Sequence, residues 1–383
     1  MLDYYRFDEM LTEEQTLVRQ AARSFTRDHV LPGIREHFAQ GTFPVDLIRE
    51  MGARGFLGAS LEGYGCAGLD GVAYGLINQE LEAGDSGIRS FASVQSSLVM
   101  YPIRRFGSED QRQRWLPLMA QGRAVGCFGL TEHDHGSNPA GLATKAVKTS
   151  AGYVLNGAKM WITNGSLADV AVVWAKLDGQ IRGFLVERGT PGFSVNDIKG
   201  KWSLRASVTS ELVFENCSVP ATSLLPGSDG LKSPLSCLNE ARYGIAWGAI
   251  GAALACYDEA LAYAKARVQF SRPIAGYQII QERLVWMASE ITKAQLLMHR
   301  LGQLKDEGRA TPPRVSMAKR NNVAMALDCA RITREILGAS GITDEYICGR
   351  HMANLESVKT YEGTHDMHTL IIGRELTGLS AFE

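Results

Sequence analysis

The chain has 383 residues, of which 45% are hydrophobic and 21% charged, and its formal net charge is -1. This balance is typical of a globular protein of two or three domains. Because the net charge is near zero and basic residues are dispersed, binding to nucleic acid or to an anionic membrane is not expected. No apolar run approaches the ~20 residues of a membrane span, and residues 1–9 do not resemble a targeting leader.

The seven cysteines are an odd number without CxxC spacing. This argues against a disulfide framework or a zinc site and indicates a reducing compartment. The histidine pairs His133/His135 and His365/His368 lack the companion ligands of a metal site, so no metal is expected. We therefore expect a cytoplasmic protein of bacterial type, or a mitochondrial matrix protein in a processed eukaryotic form.

Residues 1–122 are predicted to form an N-terminal helical domain. Apolar residues recur at helical spacing from Thr12, and Pro32 should interrupt this helix. Further helices are expected over 73–81 and 90–106. Ser108 with Gln111 matches a capping box that opens the next helix.

Residues 123–228 are predicted to form a small β-barrel-like domain. Short runs rich in β-branched and aromatic residues are separated by glycine-containing turns. Asn156-Gly157 predicts a hairpin turn between two strands. Trp161 and Thr163, two apart on a strand, should face the same side and form a wall against a flat ligand, although a core tryptophan is the alternative.

Residues 229–383 are predicted to form a helical bundle. Three long, alanine-rich, amphipathic patterns cover 237–267, 279–305 and 313–337. A short helix is expected over 344–355, and a last helix from His365, capped by Thr364. The fold class is therefore mainly α with a central β domain. Because there is neither a GxGxxG after a strand nor a P-loop, a nucleotide cofactor would be held by another device.

Glu362 lies on the predicted loop between the last two helices, beside a glycine and a helix N-terminus. A ligand could approach it closely there, but an ordinary first-turn acid is the alternative. Arg89 stands in an otherwise small or apolar stretch. If it is buried, it needs an anionic partner, either Glu82 or a ligand carboxylate; the alternative is a solvated arginine at a helix start.

Two further regions offer ligand contacts. The loop 127–138 carries backbone N–H groups and hydroxyls suited to a flat ring or a phosphate, with a surface turn as the alternative. Arg242 and Arg267 lie near the two ends of a long helix, where solvated caps are the ordinary interpretation.

Taken together, the segments 93–98, 127–132, 238–247 and 361–374 resemble the acyl-CoA dehydrogenase family of FAD flavoproteins. The resemblance covers residues 10–382 and, within the family, is strongest to the glutaryl-CoA dehydrogenases. It implies a helical domain, a β domain and a four-helix bundle, usually assembled as a homotetramer. It also implies FAD as cofactor, a CoA thioester as substrate and an electron-transferring flavoprotein as electron acceptor.

The resemblance assigns the site residues. Glu362 matches the catalytic base; some relatives carry that base at the position of Ala241, where alanine cannot serve, and Glu240 is one residue out of register. The implied substrate-binding residues are Glu82, Arg89, Ser90, Ser93, Ser137, Asn239, Arg242, Tyr243, Tyr361 and Gly363. The implied FAD-binding residues are Phe128, Leu130, Thr131, Gly136, Ser137, Trp161, Thr163, Glu335, Leu337, Gly338, Ala339, Thr364, His365 and Asp366, with Arg267, Phe270 and Gln278 reaching the FAD of a neighbouring subunit.

The resemblance also implies a reaction. The base removes an α-proton of glutaryl-CoA, a β-hydride passes to the flavin, and Arg89 meets the distal carboxylate. Tyr361 fits the form that decarboxylates to crotonyl-CoA and CO2, as in lysine, tryptophan or aromatic degradation. The alternatives are a short- or branched-chain acyl-CoA dehydrogenase without decarboxylation, with Arg89 merely paired to Glu82, or a catalytically silent helical scaffold.

Some positions depart from the usual family residues and put individual cofactor contacts in question. These are His133, His135, Asn138, Ser271, Ala339 and Ser340, all in the loops expected around the flavin or the subunit interface.

Overall fold

The N-terminal part is built from helices. The protein is described here by a computed structural model that covers residues 2–382. Its first seven α-helices are α1 Glu13–Phe25, α2 Leu31–Gln40, α3 Leu47–Ala53, α4 Gly71–Gly84, α5 Ser86–Ser93, α6 Tyr101–Phe106 and α7 Glu109–Ala120. The predicted capping box is confirmed, because Gln111 N donates to Ser108 Oγ at 3.3 Å and the Gln111 side chain accepts from Ser108 N.

The predicted interruption at Pro32 is wrong. The helix continues from α1 through a π-helical turn, Thr26–Val30, into α2. Pro32 lies in the first turn of α2, where a missing N–H is tolerated. A second π-helical segment, Val94–Met100, joins α5 to α6.

The middle part is a curled seven-stranded sheet in the order β1-β4-β2-β3-β7-β6, with β5 paired to β4. The strands are β1 Gly126–Gly129, β2 Lys145–Lys148, β3 Gly152–Thr163, β4 Val170–Leu177, β5 Gln180–Glu187, β6 Phe193–Asp197 and β7 Thr209–Pro220. β1 and β2 pair in parallel with successive parts of β4, whereas β5 runs antiparallel along all of it.

The predicted hairpin turn at Asn156-Gly157 is wrong. β3 is one continuous strand of 12 residues, paired antiparallel with β7 and interrupted by a register shift between Leu155 and Gly157. Gly157 has a φ of 143°, and a Cβ at this position would lie 2.5 Å from Thr144 Oγ1. The glycine therefore permits a bulge and a close approach between neighbouring segments, not a chain reversal.

A second register shift, between Lys159 and Ile162, places Trp161 in the left-handed region with a φ of 65°. The simple alternation that predicted a common face for Trp161 and Thr163 therefore does not hold there. The alternative of a core tryptophan is also wrong, because Trp161 is 59% exposed.

The C-terminal part is a helical bundle. Its elements are α8 Lys232–Ala266, the small hairpin β8 Val268–Gln269 and β9 Arg272–Pro273, α9 Gln278–Asp306, α10 Pro312–Ile336, α11 Cys348–Thr360 and α12 His365–Thr377. The short helix predicted over 344–355 begins four residues later, because a 3-10 turn and a short connection occupy the preceding residues. The N-cap at Thr364 is confirmed, since Met367 N donates to its Oγ1 at 3.1 Å.

α8 is the central helix of the bundle and packs on α4 at very close range. A Cβ at Gly251 would lie 1.8 Å from Gln79 O, and a Cβ at Gly248 would lie 2.1 Å from Glu82 Oε2. By length and composition alone α8 could cross a membrane, but 67% of its most apolar window is buried inside the protein. Its apolar residues are thus used in packing, and its glycines let the α4 side chains reach the helix surface.

Candidate active site

The connection between α11 and α12 carries Glu362 in an unusual conformation. Glu362 and Gly363 both adopt left-handed backbone angles, with φ of 50° and 90°. The Glu362 side chain is half-buried, and its Oε2 atom is buried without a hydrogen-bond partner among residues 2–382. A non-glycine residue with positive φ and an unpaired buried carboxylate oxygen are both unfavourable, and such features concentrate at functional sites.

Cationic side chains hold the backbone around Glu362. Arg242 on α8 donates its Nε to Glu362 O at 2.7 Å. Lys319 on α10 donates its Nζ to Gly363 O at 2.8 Å and also to Tyr361 O. Three successive carbonyls therefore have a charged donor, which fixes the direction in which the Glu362 side chain leaves the backbone.

The electrostatic surroundings set the proton affinity of Glu362. Burial raises the pKa of the carboxyl group, and the positive charges of Lys319, Arg89 and Arg242 only partly oppose this rise. A carboxylate with a raised pKa is a better proton acceptor at neutral pH than an exposed one. The site therefore suits Glu362 to general-base chemistry.

Arg89 on α5 is only 1% exposed, so the alternative of a solvated arginine is wrong. Its Nε donates to Glu82 Oε2 at 2.5 Å, and its Nη2 donates to the Tyr361 hydroxyl. Burial opposes the guanidinium charge, but Glu82 and Tyr361 outweigh it and raise the pKa of Arg89. Tyr361 is therefore hydrogen-bonded to the charged guanidinium of Arg89 and precedes Glu362 directly in the chain.

The serines predicted beside Arg89 are buried with it. Ser90 Oγ lies 3.3 Å from the Tyr361 hydroxyl. Ser93 is 1% exposed, and its Oγ has no partner in the described part of the chain. Glu82 also accepts a hydrogen bond of 2.7 Å from Ser86. The cluster therefore combines one satisfied ion pair with a hydroxyl that is free to meet a ligand.

The remaining predicted substrate residues lie in three settings. Tyr243 is buried and donates its hydroxyl to Gly71 O at 2.7 Å, which ties α8 to the start of α4. Asn239 lies on the same helix with a buried Oδ1 that has no partner within residues 2–382. Ser137 is exposed on the loop after β1.

The predicted flavin-wall residues lie along β1, β3 and the loop between β1 and β2. Phe128 and Leu130 are 7% and 4% exposed, so their side chains belong to the core and only their backbone could reach a ligand. Thr131 and Thr163 are half-buried, and Gly136 is exposed. Trp161 presents an open aromatic face at the bulge of β3.

The other predicted FAD residues lie in two places: around the β8–β9 hairpin with the nearby end of α10, and at the start of α12, which contacts the first turns of α10. Arg267, Phe270 and Gln278 are exposed on the β8–β9 hairpin and the start of α9, with Phe270 90% exposed. The turn that follows β9 packs through Ile274 and Ala275 against the hydrophobic cluster that includes Ile336 at the end of α10. At the end of α10 and just after it, Leu337 is buried, whereas Gly338 and Ala339 are exposed. The Glu335 carboxylate pairs with Arg283 at 2.9 Å. At the start of α12, Thr364 serves as cap, His365 is half-buried and Asp366 is exposed.

These surroundings fit a flat, extended dinucleotide cofactor. The open indole of Trp161 and the exposed ring of Phe270 are surfaces that a bound ring system or a second chain would cover. The loop after β1 presents exposed small and hydroxyl residues, and the start of α12 offers backbone N–H groups. The residues present are therefore compatible with FAD.

Sequence reasoning missed a buried ion pair behind the loop after β1. Lys159 is 0% exposed and contacts Glu132 Oε1 at 2.8 Å. Burial opposes ionisation of Glu132, but Lys159 and the N–H of Ala143 lower its pKa to about 2. Lysine within an apolar strand was the available signal. The pair holds the loop against β3.

A second missed residue is Lys319. It falls four residues after Val315 and four before Val323, on the stripe of α10 that packs inward. A lysine at helical spacing within an apolar stripe was the signal, but its acceptors lie far away in sequence on the Glu362 loop.

Known proteins share this architecture. Residues 12–123, 127–217 and 228–377 match the acyl-CoA dehydrogenase N-terminal, middle and C-terminal domains, respectively. An acyl-CoA dehydrogenase of Bacillus subtilis is 36% identical over 375 residues, which cover 96% of this chain and 99% of the relative.

Two solved structures are more similar in sequence. A glutaryl-CoA dehydrogenase of Mycobacterium smegmatis is 54% identical, with a TM-score of 0.97 and coverage of 98% of this chain and 97% of that one. A glutaryl-CoA dehydrogenase from the same organism, in complex with FADH2, is 51% identical, with a TM-score of 0.99 and coverage of 100% and 99%. The alternative of a silent scaffold is thereby set aside. The chain belongs to the acyl-CoA dehydrogenase family and is an FAD-dependent acyl-CoA dehydrogenase.

Proposed function

We propose that the chain oxidises glutaryl-CoA and decarboxylates the product to crotonyl-CoA and CO2, with Glu362 as base and Arg89 as the recognition site for the distal carboxylate. The observation that carries this proposal is the burial of Arg89 beside Tyr361. A dehydrogenase for plain acyl chains has no use for a buried guanidinium at the end of its pocket, because burying a charge is unfavourable without an anionic partner.

The charges around the site support an anionic substrate. Arg89, Arg242 and Lys319 surround Glu362, and Glu82 is the other carboxylate of the group. Three cations against two carboxylates leave one positive charge when all are ionised. Arg89 Nη1 has no acceptor in the described part of the chain, so a distal carboxylate would find an open donor there.

Glu362 takes the α-proton of the thioester. Its Oε2 is buried and unpartnered within residues 2–382, so it is available to the substrate. The Glu362 backbone N–H donates no hydrogen bond in the same range, and it is the donor that we assign to the enolate oxygen. When bound, FAD supplies the acceptor for the β-hydride. The residues that would hold it are those of the β1–β2 loop, Trp161 and the start of α12.

Decarboxylation uses the same groups. The bond between the distal carboxylate and its carbon breaks, and the electron pair passes into the conjugated thioester, which must then take up a proton. Glu362 is protonated after the first step, and its raised pKa lets it keep the proton until it is needed. Arg89 and Tyr361 orient the carboxylate before the bond breaks.

The second candidate is a short- or branched-chain acyl-CoA dehydrogenase without decarboxylation. The observation that favours it is the bond between Arg89 and Glu82, because this pair already satisfies part of the guanidinium.

We also propose a cytoplasmic homotetramer that passes its electrons to an electron-transferring flavoprotein. The exposed side chains Val268, Phe270 and Ile279 at one end of the bundle support assembly. Light scattering of the purified protein tests this assembly. A measured mass equal to that of one chain would contradict it.

Product analysis tests the function. Purified enzyme is incubated with glutaryl-CoA and an artificial electron acceptor, and the thioesters are separated by chromatography. Crotonyl-CoA with one equivalent of CO2 is expected. Accumulation of glutaconyl-CoA would limit the function to oxidation, and turnover of butyryl-CoA without turnover of glutaryl-CoA would favour the second candidate.

A further inference from the structure

Lys319 is a buried lysine whose ammonium group serves the loop that carries Glu362. Its side chain is 1% exposed, although lysine is almost never fully buried without a partner. Its Nζ donates to Tyr361 O and, at 2.8 Å, to Gly363 O. Both acceptors are backbone carbonyls, and they flank Glu362 on either side.

We propose that Lys319 is a positioning residue for the catalytic base: its ammonium group clamps the two carbonyls that flank Glu362 and places a positive charge near the Glu362 carboxylate. The inference rests on the proposed role of Glu362 and adds to it a residue that acts through the backbone of the Glu362 loop.

The two hydrogen bonds from Lys319 stabilise the unfavourable backbone conformation at Glu362. Left-handed backbone at Glu362, with a φ of 50°, is unfavourable for a glutamate and persists only where the surroundings enforce it. Arg242 holds only the carbonyl of Glu362 itself. Among residues 2–382, Lys319 is the one side chain that donates to the carbonyls of both neighbours of Glu362, so it fixes both ends of the strained unit.

The charge of Lys319 lies close to the Glu362 carboxyl group and lowers its pKa. Burial lowers the pKa of Lys319 to about 7, so the ammonium form persists in acid. The other groups that face the pair are Arg89 from α5, Arg242 from α8 and Tyr361 on the loop. From α12, His365 and His368 have pKa values lowered by burial, so both are neutral near pH 7.

The sign of the effect follows from this arrangement. The ammonium group of Lys319 favours the ionised form of Glu362 and so limits the rise of its pKa. Removing the ammonium raises the pKa of Glu362 further. Because only the carboxylate accepts the α-proton, the acid limb of the rate profile then moves to higher pH.

The test compares pH profiles of kcat/KM for the FAD-loaded enzyme and its variants. Lys319→Met removes the charge and both bonds, Lys319→Gln removes the charge but keeps a donor, and Lys319→Arg keeps the charge. Arg320→Met is the matched control, since Arg320 is only half-buried and its side chain bonds only to Thr369 within the described chain. The acid limb should rise by about one pH unit or more in the Met and Gln variants and stay in place in the Arg variant and the control.

An unchanged acid limb in Lys319→Met and Lys319→Gln, with FAD content and circular dichroism of the wild type, would overturn the proposal. An equal shift in Lys319→Arg would overturn it too. If the Met variant does not fold, the Gln and Arg variants decide. The profiles are measured with the acyl-CoA that the wild type turns over, so a wild type that accepts butyryl-CoA and rejects glutaryl-CoA contradicts the proposed substrate without affecting this test.

Discussion

Glu362 carries two unfavourable features at once, a left-handed backbone and a buried carboxylate oxygen without a partner in the described chain. Removing the charge should therefore relieve the folded state while abolishing proton abstraction. This contrast separates a catalytic acid from a structural one, because replacing a structural acid lowers stability.

Glu362→Gln keeps the shape of the side chain and cannot accept the α-proton. We expect turnover to fall by about three orders of magnitude, with FAD content and melting temperature at or above those of the wild type. Acyl-CoA turnover, flavin absorbance and thermal melting check the prediction. Glu375→Gln, which changes an exposed acid further along α12, is the control that should keep activity. Wild-type turnover in Glu362→Gln would remove Glu362 from the mechanism.

Individual residues were predictable where a local pattern defines them. Thr364 was found because an N-cap depends on four consecutive residues. Lys319 and the Glu132–Lys159 pair were not found, because their function depends on contacts with residues distant in sequence. Local spacing could indicate that these lysines are buried, but it does not identify the distant residues that they contact.

At the scale of elements, the contact between α4 and α8 positions Glu82 and Arg89, the pair proposed to recognise the substrate. Gly248 on α8 lies directly against Glu82 and Arg89: a Cβ there would meet Glu82 Oε2 at 2.1 Å and Arg89 Nε at 3.1 Å. The ion pair therefore fits only because this helix position has no side chain.

Gly248→Ala should displace the Glu82 carboxylate and tilt the guanidinium. We expect kcat/KM for glutaryl-CoA to fall at least tenfold more than for butyryl-CoA, with a loss of about 1–3 kcal/mol in the free energy of unfolding from overpacking. Steady-state kinetics and urea unfolding measure both. Gly349→Ala on α11, where a Cβ meets nothing within 4 Å, is the control. Identical losses for the two substrates would show that Gly248 serves only packing.

The long helices were predictable because periodicity over twenty or more residues is a strong signal. The predictions at Pro32 and Asn156-Gly157 were wrong because Pro32 was interpreted as a helix interruption and Asn156-Gly157 as a hairpin turn. A π-helical turn precedes the proline, and a bulge contains the Asn-Gly pair. Both are local adjustments that keep the element intact, and tertiary packing selects them.

At the scale of the whole molecule, the order of helical domain, sheet and helical bundle follows from the change of periodicity along the chain and is confirmed. The site could not be assembled in the same way. Its cations come from α5, α8 and α10, and the proposed base, Glu362, comes from the loop before α12. The resemblance to a family brought Arg89, Arg242 and Glu362 together in one predicted site, but Lys319 was found only from the structure.

We propose that the buried guanidinium of Arg89 selects a dicarboxylic acyl-CoA. The ratio of kcat/KM for glutaryl-CoA to that for butyryl-CoA tests this selection most directly. Arg89→Met alone leaves Glu82 buried and unpaired, so Arg89→Met with Glu82→Gln removes both charges together.

The measurement is kcat/KM for glutaryl-CoA and for butyryl-CoA in the wild type and in the double variant. We predict a wild-type preference for glutaryl-CoA, lost by roughly 10²–10³-fold in the variant, since an unpaired buried carboxylate costs several kcal/mol, while the value for butyryl-CoA changes less than about tenfold. An equal fall for both substrates, or a wild type that prefers butyryl-CoA, would contradict it.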